Sequence, residues 1–188
     1  MKKRQSMKKI LSRLLIILGL GTIIITAYLN QNVKHNNDNI VKNYEEGINN
    51  PSKNQEELNK NIVGILQIKN IDLKVAIGEG TDEDTLKYAV GHFTDTKMPG
   101  EVGNFAVAGH SAYTYNRFFA NLEDIKIGDE IDVKTKSGDY TYKVKSTEVV
   151  TPDKVDVLNS SDDKKNITLI TCTPRFIGSH RLVIKGEI

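Results

Sequence analysis

Several features that would assign a protein to a familiar class are missing from this chain. Its 188 residues contain one cysteine, Cys172, so no disulfide can form within the chain. We find no internal repeat, no cluster of residues at metal-ligand spacing and no phosphate-binding glycine loop. Residues 62–188 hold 16 lysines and arginines against 19 aspartates and glutamates. The overall charge of +2 therefore arises from the N-terminal segment, and electrostatics give no reason to expect a nucleic-acid partner.

The N-terminal segment has the pattern of a membrane anchor. Basic residues are frequent between Lys2 and Arg13, and a run from Ile10 to Leu29 is almost wholly apolar. As a helix, this run is about 30 Å long, enough to cross the hydrocarbon core of a bilayer. A cleaved signal peptide is the alternative, but no small-x-small site follows the run. We expect residues 1–29 to be an uncleaved anchor with its basic end in the cytoplasm and the following domain outside.

Two further regions follow the anchor. Residues 30–61 are rich in Asn, Gln, Lys and Glu, and we expect a polar stalk with short helices at most. Residues 62–188 contain many short β-branched and apolar stretches separated by turn residues, and few helical patterns. One helix is predicted after Thr81-Asp-Glu-Asp84, with Leu86, Ala89 and Val90 on its apolar face, and another from Tyr115 to Leu122. This pattern predicts an all-β barrel or sandwich.

The stretch with most chemical content contains the cysteine. Residues 166–172 are predicted to form a strand, Pro174 and Gly178 interrupt the following loop, and Arg181 begins a returning strand. If the two strands pair, Arg181 returns beside Cys172. A thiol next to a guanidinium is a place where a thiolate can be stabilised and used as a nucleophile.

A cysteine nucleophile needs an acid–base partner, and four histidines are available. His35 lies in the predicted stalk, and strand alternation turns His180 away from the face that carries Arg181. His92 precedes a predicted loop at residues 94–100 and His110 ends a predicted strand, and composition alone does not choose between them. Taken singly, Cys172, either histidine and Arg181 also have ordinary structural explanations, and Arg175 or Arg117 could substitute for Arg181.

A family resemblance resolves this choice. Thr168-Leu-Ile-Thr-Cys172 resembles the TLxTC signature of the sortases, the cysteine transpeptidases of Gram-positive cell surfaces. Ala108-Gly-His110 is similar to the motif that carries the histidine of that family, and Arg181 matches its active-site arginine. The order His110, Cys172, Arg181 also differs from papain-like peptidases, in which the cysteine comes first. The similarity covers residues 62–188 and implies a closed sortase-type β-barrel of about eight strands.

The resemblance also implies an activity and its partners. Sortases cleave an LPxTG-type sorting motif between Thr and Gly, hold the acyl group as a thioester, and transfer it to an amine of peptidoglycan or of its lipid-linked precursor. On that basis Cys172 is the nucleophile, His110 moves protons, and Arg181 binds substrate and oxyanion. Ala108 and Ile170 match positions that line the peptide groove. The N-terminal anchor resembles class D or class A members.

Two further expectations concern metals and a competing function. Some class A sortases bind calcium, but acidic residues are sparse here at Asp95 and Glu101, and Asp162-Asp163 lies in another loop, so we predict neither a metal nor another cofactor. The alternative function is a membrane-tethered module that binds cell-wall peptides without catalysis. Such a module has no need of a thiol, an imidazole and a guanidinium together.

Overall fold

The computed structural model describes residues 2–49, 61–111, 116–160 and 163–188, with side chains from Lys8 onward. These described ranges contain two α-helices and eight strands. The helices are α1 (Lys2–Asn49) and α2 (Glu83–Tyr88). The strands are β1 (Ile62–Ile68), β2 (Leu73–Glu79), β3 (Val90–His92), β4 (Gly103–Ala108), β5 (Glu130–Lys134), β6 (Asp139–Val150), β7 (Lys165–Thr173) and β8 (His180–Glu187).

The eight strands close into a barrel in the order β1-β2-β3-β4-β7-β8-β6-β5. The pairs β2–β3 and β4–β7 are parallel, and the other neighbours are antiparallel. The interior is filled by inward-facing apolar side chains, among them Leu66, Phe105, Ile131 and Leu169. Alternation along each strand places these residues inside and leaves the intervening ones on the outer face. The predicted closed barrel of about eight strands is confirmed.

Helix α1 has two parts with different surroundings. Its apolar side chains from Ile10 to Leu29 are mostly exposed, and α1 is long and apolar enough to cross a membrane. Further along, Val33, Val41 and Tyr44 are buried against the barrel. The Tyr44 hydroxyl donates a 2.9 Å hydrogen bond to the carbonyl oxygen of Val63 at the start of β1.

The structure therefore differs from the expected polar stalk over residues 30–49, which belong to α1. Val33, Asn37, Val41 and Tyr44 recur at intervals of three and four, so one helical face carries all of them. That face packs on Ile65 and Ala76 of the barrel. Polar composition predicted a segment that does not fold alone, and here the barrel supplies the apolar partner. Residues 50–60 of the expected stalk lie outside the described part of the chain, and the domain boundaries stay a prediction.

Two predicted helices also differ in the structure. Asp82 caps α2 by accepting the Thr85 amide, as expected, but α2 ends at Tyr88, and Val90 pairs with Ile77 as part of β3. Burial of Val90 between strands outweighs its place in a helical pattern. The second helix, predicted for Tyr115–Leu122, is not formed by residues 116–121, which make turns before a 3-10 helix at Leu122–Asp124. Residue 115 is outside the described ranges.

Candidate active site

Cys172 and Arg181 lie opposite each other in the antiparallel pair of β7 and β8. Their Cα positions are directly paired, as are those of the next pair, Thr173 and His180. Directly opposite residues on one face of a sheet have Cβ atoms about 5 Å apart. The sequence predicted that Arg181 returns beside the cysteine, and the register has this arrangement. Both side chains are half-buried.

The loop between β7 and β8 is tied down close to the thiol. The amides of Ile177 and Gly178 both donate to the carbonyl oxygen of Pro174, which follows a cis peptide bond. Gly178 has a φ of +64°, in the left-handed region that favours glycine. A Cβ there would lie 3.6 Å from the Cys172 Cβ and 4.0 Å from Sγ. These distances are ordinary contacts, so it is the positive φ that favours glycine here.

Arg181 is held by this same loop. Its Nη1 donates 3.0 Å hydrogen bonds to the carbonyl oxygens of Gly178 and His180. Both bonds are donated by the same nitrogen, and together they fix the orientation of the guanidinium. Among the contacts with described residues, none engages Nε or Nη2, so these donors are available to a ligand at the strand end. A planar guanidinium held at one nitrogen can still present other N–H groups to a carbonyl oxygen.

His110 is brought level with Cys172 by the parallel pair β4–β7. Ala108 pairs with Ile170, so residue 110 falls two positions further along, as Cys172 does. Three hydrogen bonds continue the connection beyond the paired residues: the Gly109 amide donates to Ile170 O, Thr171 Oγ1 donates to Gly109 O, and Ser111 Oγ donates to Cys172 O. His110 is thereby positioned at the barrel end that carries the thiol.

Gly109 in the Ala108-Gly-His110 motif has a packing reason. A Cβ on this residue would lie 2.7 Å from the ring of Phe119, whose amide donates to His110 O at 3.0 Å. The loop after His110 therefore folds back against residue 109, and any larger residue there would displace Phe119. The backbone on both sides of the imidazole is fixed by these contacts.

The surroundings of His110 favour its neutral form. Partial burial lowers the pKa of His110 below its usual value, and the negative charge of Glu83 at the start of α2 opposes this shift. A neutral imidazole can accept a proton, and a lowered pKa makes the imidazolium a stronger acid. Both properties suit a group that takes a proton in one step and donates it in another.

The other histidines have different environments. His92 is 1% exposed; its Nδ1 lies 3.1 Å from Glu79 Oε2 and its Nε2 lies 3.2 Å from Lys97 O. In the antiparallel pair of β3 and β4, His92 lies opposite Val107, three positions before His110. His180 is exposed beside Ser179, and His35 lies on α1 next to Asn39. His110 and His180 therefore both lie at the barrel end that carries the thiol, and of these two His110 is the partly buried one.

The two alternative arginines have other surroundings. Arg175 forms a 2.6 Å ion pair with Glu123, and its Nε is buried without a hydrogen-bond partner among the described residues. Arg117 is exposed in the loop after His110. Neither is paired with Cys172 in the sheet, whereas Arg181 is.

The outer face of β4 and β7 forms an apolar floor beside the thiol. Ile170 packs with Val150, Val157 and Val183, and Phe93 and Leu158 pack against this cluster. Ala108 lies next to Ile170 in the parallel register. The two residues expected to line a peptide groove therefore lie side by side, close to the strand end. Ala108 is half-buried, whereas Ile170 is only 9% exposed because the cluster covers it.

Some residues that organise this site were not selected by sequence reasoning. Ser111 and Thr171 connect the two motifs, and Glu83 acts on His110 from another element. Ser111 directly follows the histidine motif and Thr171 lies inside the cysteine motif, so their adjacency was a usable signal. No local signal connected Glu83, which is 27 positions before His110. Among the described residues, no group of three or more His, Cys, Asp or Glu side chains could hold a metal ion.

Comparisons with known proteins point to one family. A model of the sortase domain matches residues 66–188. The chain is 31% identical over 127 residues to Sortase D of Bacillus subtilis, covering 66% of this chain and 62% of that protein. It is 28% identical over 186 residues to Sortase A of Staphylococcus aureus, covering 88% and 89%. The match to Sortase D thus spans less than two thirds of that relative.

Solved structures show the same likeness. A Clostridium perfringens Sortase D5 transpeptidase superposes with a TM-score of 0.69 at 31% identity, covering 81% of this chain and 98% of that one. Sortase C1 of pilus island 1 of GBS superposes with a TM-score of 0.73 at 23% identity, which supports the fold alone.

Proposed function

The chain belongs to the sortase family of cysteine transpeptidases, and we propose that this member cleaves an LPxTG-type motif between Thr and Gly and transfers the acyl group to an amine. The observation that carries the proposal is the convergence of Cys172, Arg181 and His110 at one end of the barrel. A non-catalytic peptide-binding module would not need this combination.

In the first half of the reaction, the Cys172 sulfur attacks the threonine carbonyl carbon and a C–S bond forms. The thiol proton passes to His110, and the carbonyl oxygen becomes an oxyanion. Arg181 donates hydrogen bonds to that oxyanion, an interaction that matters most in the transition state. The C–N bond to glycine then breaks, and His110 gives its proton to the departing amine. A thioester remains on the enzyme.

In the second half, an amine attacks the thioester carbon and loses a proton to His110. The C–S bond breaks, and the proton returns to the Cys172 sulfur as the new amide forms. No net oxidation occurs and no metal is needed for any step. Amines of peptidoglycan, or of its lipid-linked precursor, are the acceptors we propose, and sorting-signal proteins are the acyl donors.

The apolar floor provides the binding half of the proposal. Ala108 and Ile170 lie beside the reacting end of the barrel, where the Leu-Pro part of a sorting motif would contact them. In the sorting motif, the bond to be cut lies a few residues after the Leu-Pro pair. A bound peptide would therefore contact the apolar floor with Leu-Pro and reach the thiol further along its chain. Identity to Sortase D and to the D5 transpeptidase supports class D, while similar identity to Sortase A leaves class A as the alternative.

An apolar helix precedes the sortase domain, an arrangement consistent with a single-pass membrane protein. We propose that the barrel lies outside the cell, because the basic residues before the span favour the cytoplasm. Protease added to intact protoplasts is expected to release a fragment close to the mass of the barrel domain. Complete protection would contradict this topology.

The activity can be tested with the full chain in detergent. Incubation with an LPxTG-type peptide library should give cleavage between Thr and Gly, and an added amine should give the transfer product, both read by mass spectrometry. Cys172→Ala is the matched control and should give neither. Peptide binding without cleavage by the native chain would favour the binding module instead.

A further inference from the structure

Helix α1 runs along the barrel from one end to the other. Close to the apolar run, Val33 and Lys34 lie with Ile71 and Leu73 around the start of β2. Further along α1, Asn37 donates a hydrogen bond to Tyr88 O. Near the end of the helix, Tyr44 donates to Val63 O at the start of β1. Since β1 and β2 are antiparallel, their starts mark opposite ends of the barrel.

The strand directions identify which end α1 reaches first. β2 is parallel to β3, β3 is antiparallel to β4, and β4 is parallel to β7. The start of β2 therefore lies at the same end as the last residues of β4 and β7. His110 and Cys172 follow from those strand ends. Leaving the apolar run, α1 thus meets the catalytic end of the barrel before it meets the far end.

A cleft of about 400 Å³ lies between α1 and this catalytic end. Three basic side chains line it, those of Lys34, Lys74 and Arg117, against the two acids Asp38 and Asp72. Lys74 is paired with Glu45 of α1, whereas Lys34 and Arg117 form no ion pair within the described residues. The cleft is therefore lined by apolar and charged side chains together, and its exposed cations Lys34 and Arg117 lie beside two exposed acids.

The position of the cleft along α1 matches the depth of lipid headgroups. Leu29 ends the apolar run, and at about 1.5 Å per residue Asn30 and Lys34 lie about 1.5 and 7.5 Å beyond it. The headgroup layer is about 5–8 Å thick on each side of the hydrocarbon core. Both residues line the cleft. If α1 spans the bilayer, the mouth of the cleft lies among the phosphates.

The catalytic end also exposes apolar side chains. Phe176 and Ile177 in the β7–β8 loop are 83% and 74% exposed, and Ile127, just before β5, is 71% exposed. Because β1 is antiparallel to both β2 and β5, β5 starts at this same end. Exposed apolar and basic side chains together are typical of a surface that contacts an interface.

We propose that the catalytic end of the barrel faces the bilayer and that the cleft beside α1 binds the headgroup of an anionic phospholipid through Lys34 and Arg117. This proposal rests on the proposed function in one respect only, the identification of this end of the barrel as the catalytic end. It has a consequence for that function, because the thiol is presented to substrates that arrive in the plane of the membrane. A lipid-linked amine and a membrane-anchored protein would both approach from this side.

Orientation can be measured with two fluorescent labels on the full chain in phosphatidylglycerol vesicles. In a Cys172→Ala background, Ile127→Cys places the label at the catalytic end and Lys136→Cys places it in the β5–β6 turn at the far end. Lipids with a headgroup nitroxide should quench the first label strongly and the second weakly. Equal quenching, or stronger quenching at position 136, would overturn the proposed orientation.

Headgroup binding is tested with a phosphatidylglycerol that carries a photoreactive headgroup. Cross-links in the full chain should map to residues 30–38 and 117–121. A basic side chain near an anionic surface strengthens binding about fivefold, so Lys34→Gln with Arg117→Gln should weaken it about 30-fold. Lys143→Gln with Lys145→Gln removes the same charge from exposed positions of β6 and should leave the cross-links unchanged.

The outcomes separate this inference from the enzymatic proposal. Cross-links that persist in the Lys34→Gln, Arg117→Gln variant, or that fall equally in the β6 control, would overturn the cleft as a headgroup site. A phosphatidylcholine analogue that labels the cleft as well as phosphatidylglycerol would overturn its preference for anionic lipid. These experiments require no turnover. An inactive enzyme with intact orientation and cross-links would therefore refute the transpeptidase alone.

Discussion

Cys172 of β7 and Arg181 of β8 are a directly opposed pair, and the guanidinium is held over the intervening loop by two hydrogen bonds from one nitrogen. The arginine is therefore positioned by the sheet and oriented by the carbonyl oxygens of Gly178 in the loop and His180 in β8. This arrangement leaves donors for a reacting carbonyl and makes the role of Arg181 separable from folding.

Arg181→Lys should keep the fold and lose most of the activity. Lysine is a point charge and cannot both hold the loop and donate to an oxyanion as a guanidinium does. Removal of one oxyanion donor costs about 10²–10³-fold in turnover. Single-turnover acylation, followed by intact mass, measures this. Arg175→Lys is the matched control, and equal losses in both variants would contradict a specific role for Arg181.

Cys172→Ala should fold, bind a sorting peptide and form no acyl adduct. The side chain is half-buried at a strand end, so its loss removes few contacts. Intact mass after incubation with peptide reads the thioester directly, and fluorescence anisotropy reads binding. An adduct of unchanged yield in this variant would show that another group is the nucleophile.

His110→Ala and His92→Ala should fail in different ways. Loss of a general acid–base group costs about 10²–10⁴-fold in rate, so His110→Ala should fold and be nearly inactive. His92 is buried and bonded to Glu79 and Lys97, so its removal should lower the free energy of unfolding by about 1–3 kcal/mol. Activity and thermal unfolding of both variants decide this. The reverse result would make His92 the catalytic group.

The pKa of His110 should lie below the ordinary histidine value, and Glu83→Gln should lower it further. Burial disfavours the imidazolium, and Glu83 is the charge that opposes this effect. An NMR titration, assigned by the His110→Ala spectrum, measures the midpoint. Asp84→Asn, one position along α2, is the control with the smaller expected change. A midpoint that rises in Glu83→Gln would contradict the assigned cause.

The same shift has a consequence for stability. Because the folded pKa lies below the unfolded value of about 6.5, the unfolded chain binds more protons in the interval between them. The contribution of His110 to the free energy of unfolding is therefore complete above about pH 6.5 and decreases as the pH falls through the folded pKa. Unfolding of the native chain and of His110→Ala, compared across this interval, should show the difference.

Tyr44→Phe tests the contact between α1 and the barrel. The substitution removes the buried hydroxyl that donates to Val63 O and keeps the ring. Leaving a buried carbonyl oxygen without this donor costs about 1–3 kcal/mol. Thermal unfolding in detergent should show the loss, while Tyr28→Phe, at an exposed position of the apolar part of α1, should show none. Equal stability of the two variants would mean that α1 does not dock as described.

The sequence by itself determined the features that depend on local order. Alternation and turn residues were enough to predict a strand at residues 166–172 and a returning strand from Arg181, because a half-buried strand repeats every two residues; the structure has these strands at Lys165–Thr173 and His180–Glu187. Cys172 and Arg181 were selected for the same reason, since two strands joined by a short loop pair locally. His110 was selected through the Ala108-Gly-His110 motif. The glycine of this motif is required because Phe119 packs closely against it.

Only the tertiary structure decided the features that depend on distant partners. The helical face at Val33, Val41 and Tyr44 is too polar to fold alone, and it forms because the barrel offers apolar surface to one side of it. Val90 fits a helical pattern in the sequence but lies in β3, because pairing with Ile77 buries it. Glu83 acts on His110, and α1 reaches the catalytic end first, because strand directions around a closed barrel place these residues together. Closure of the barrel brings together residues that are far apart in the sequence and that no local sequence pattern connects.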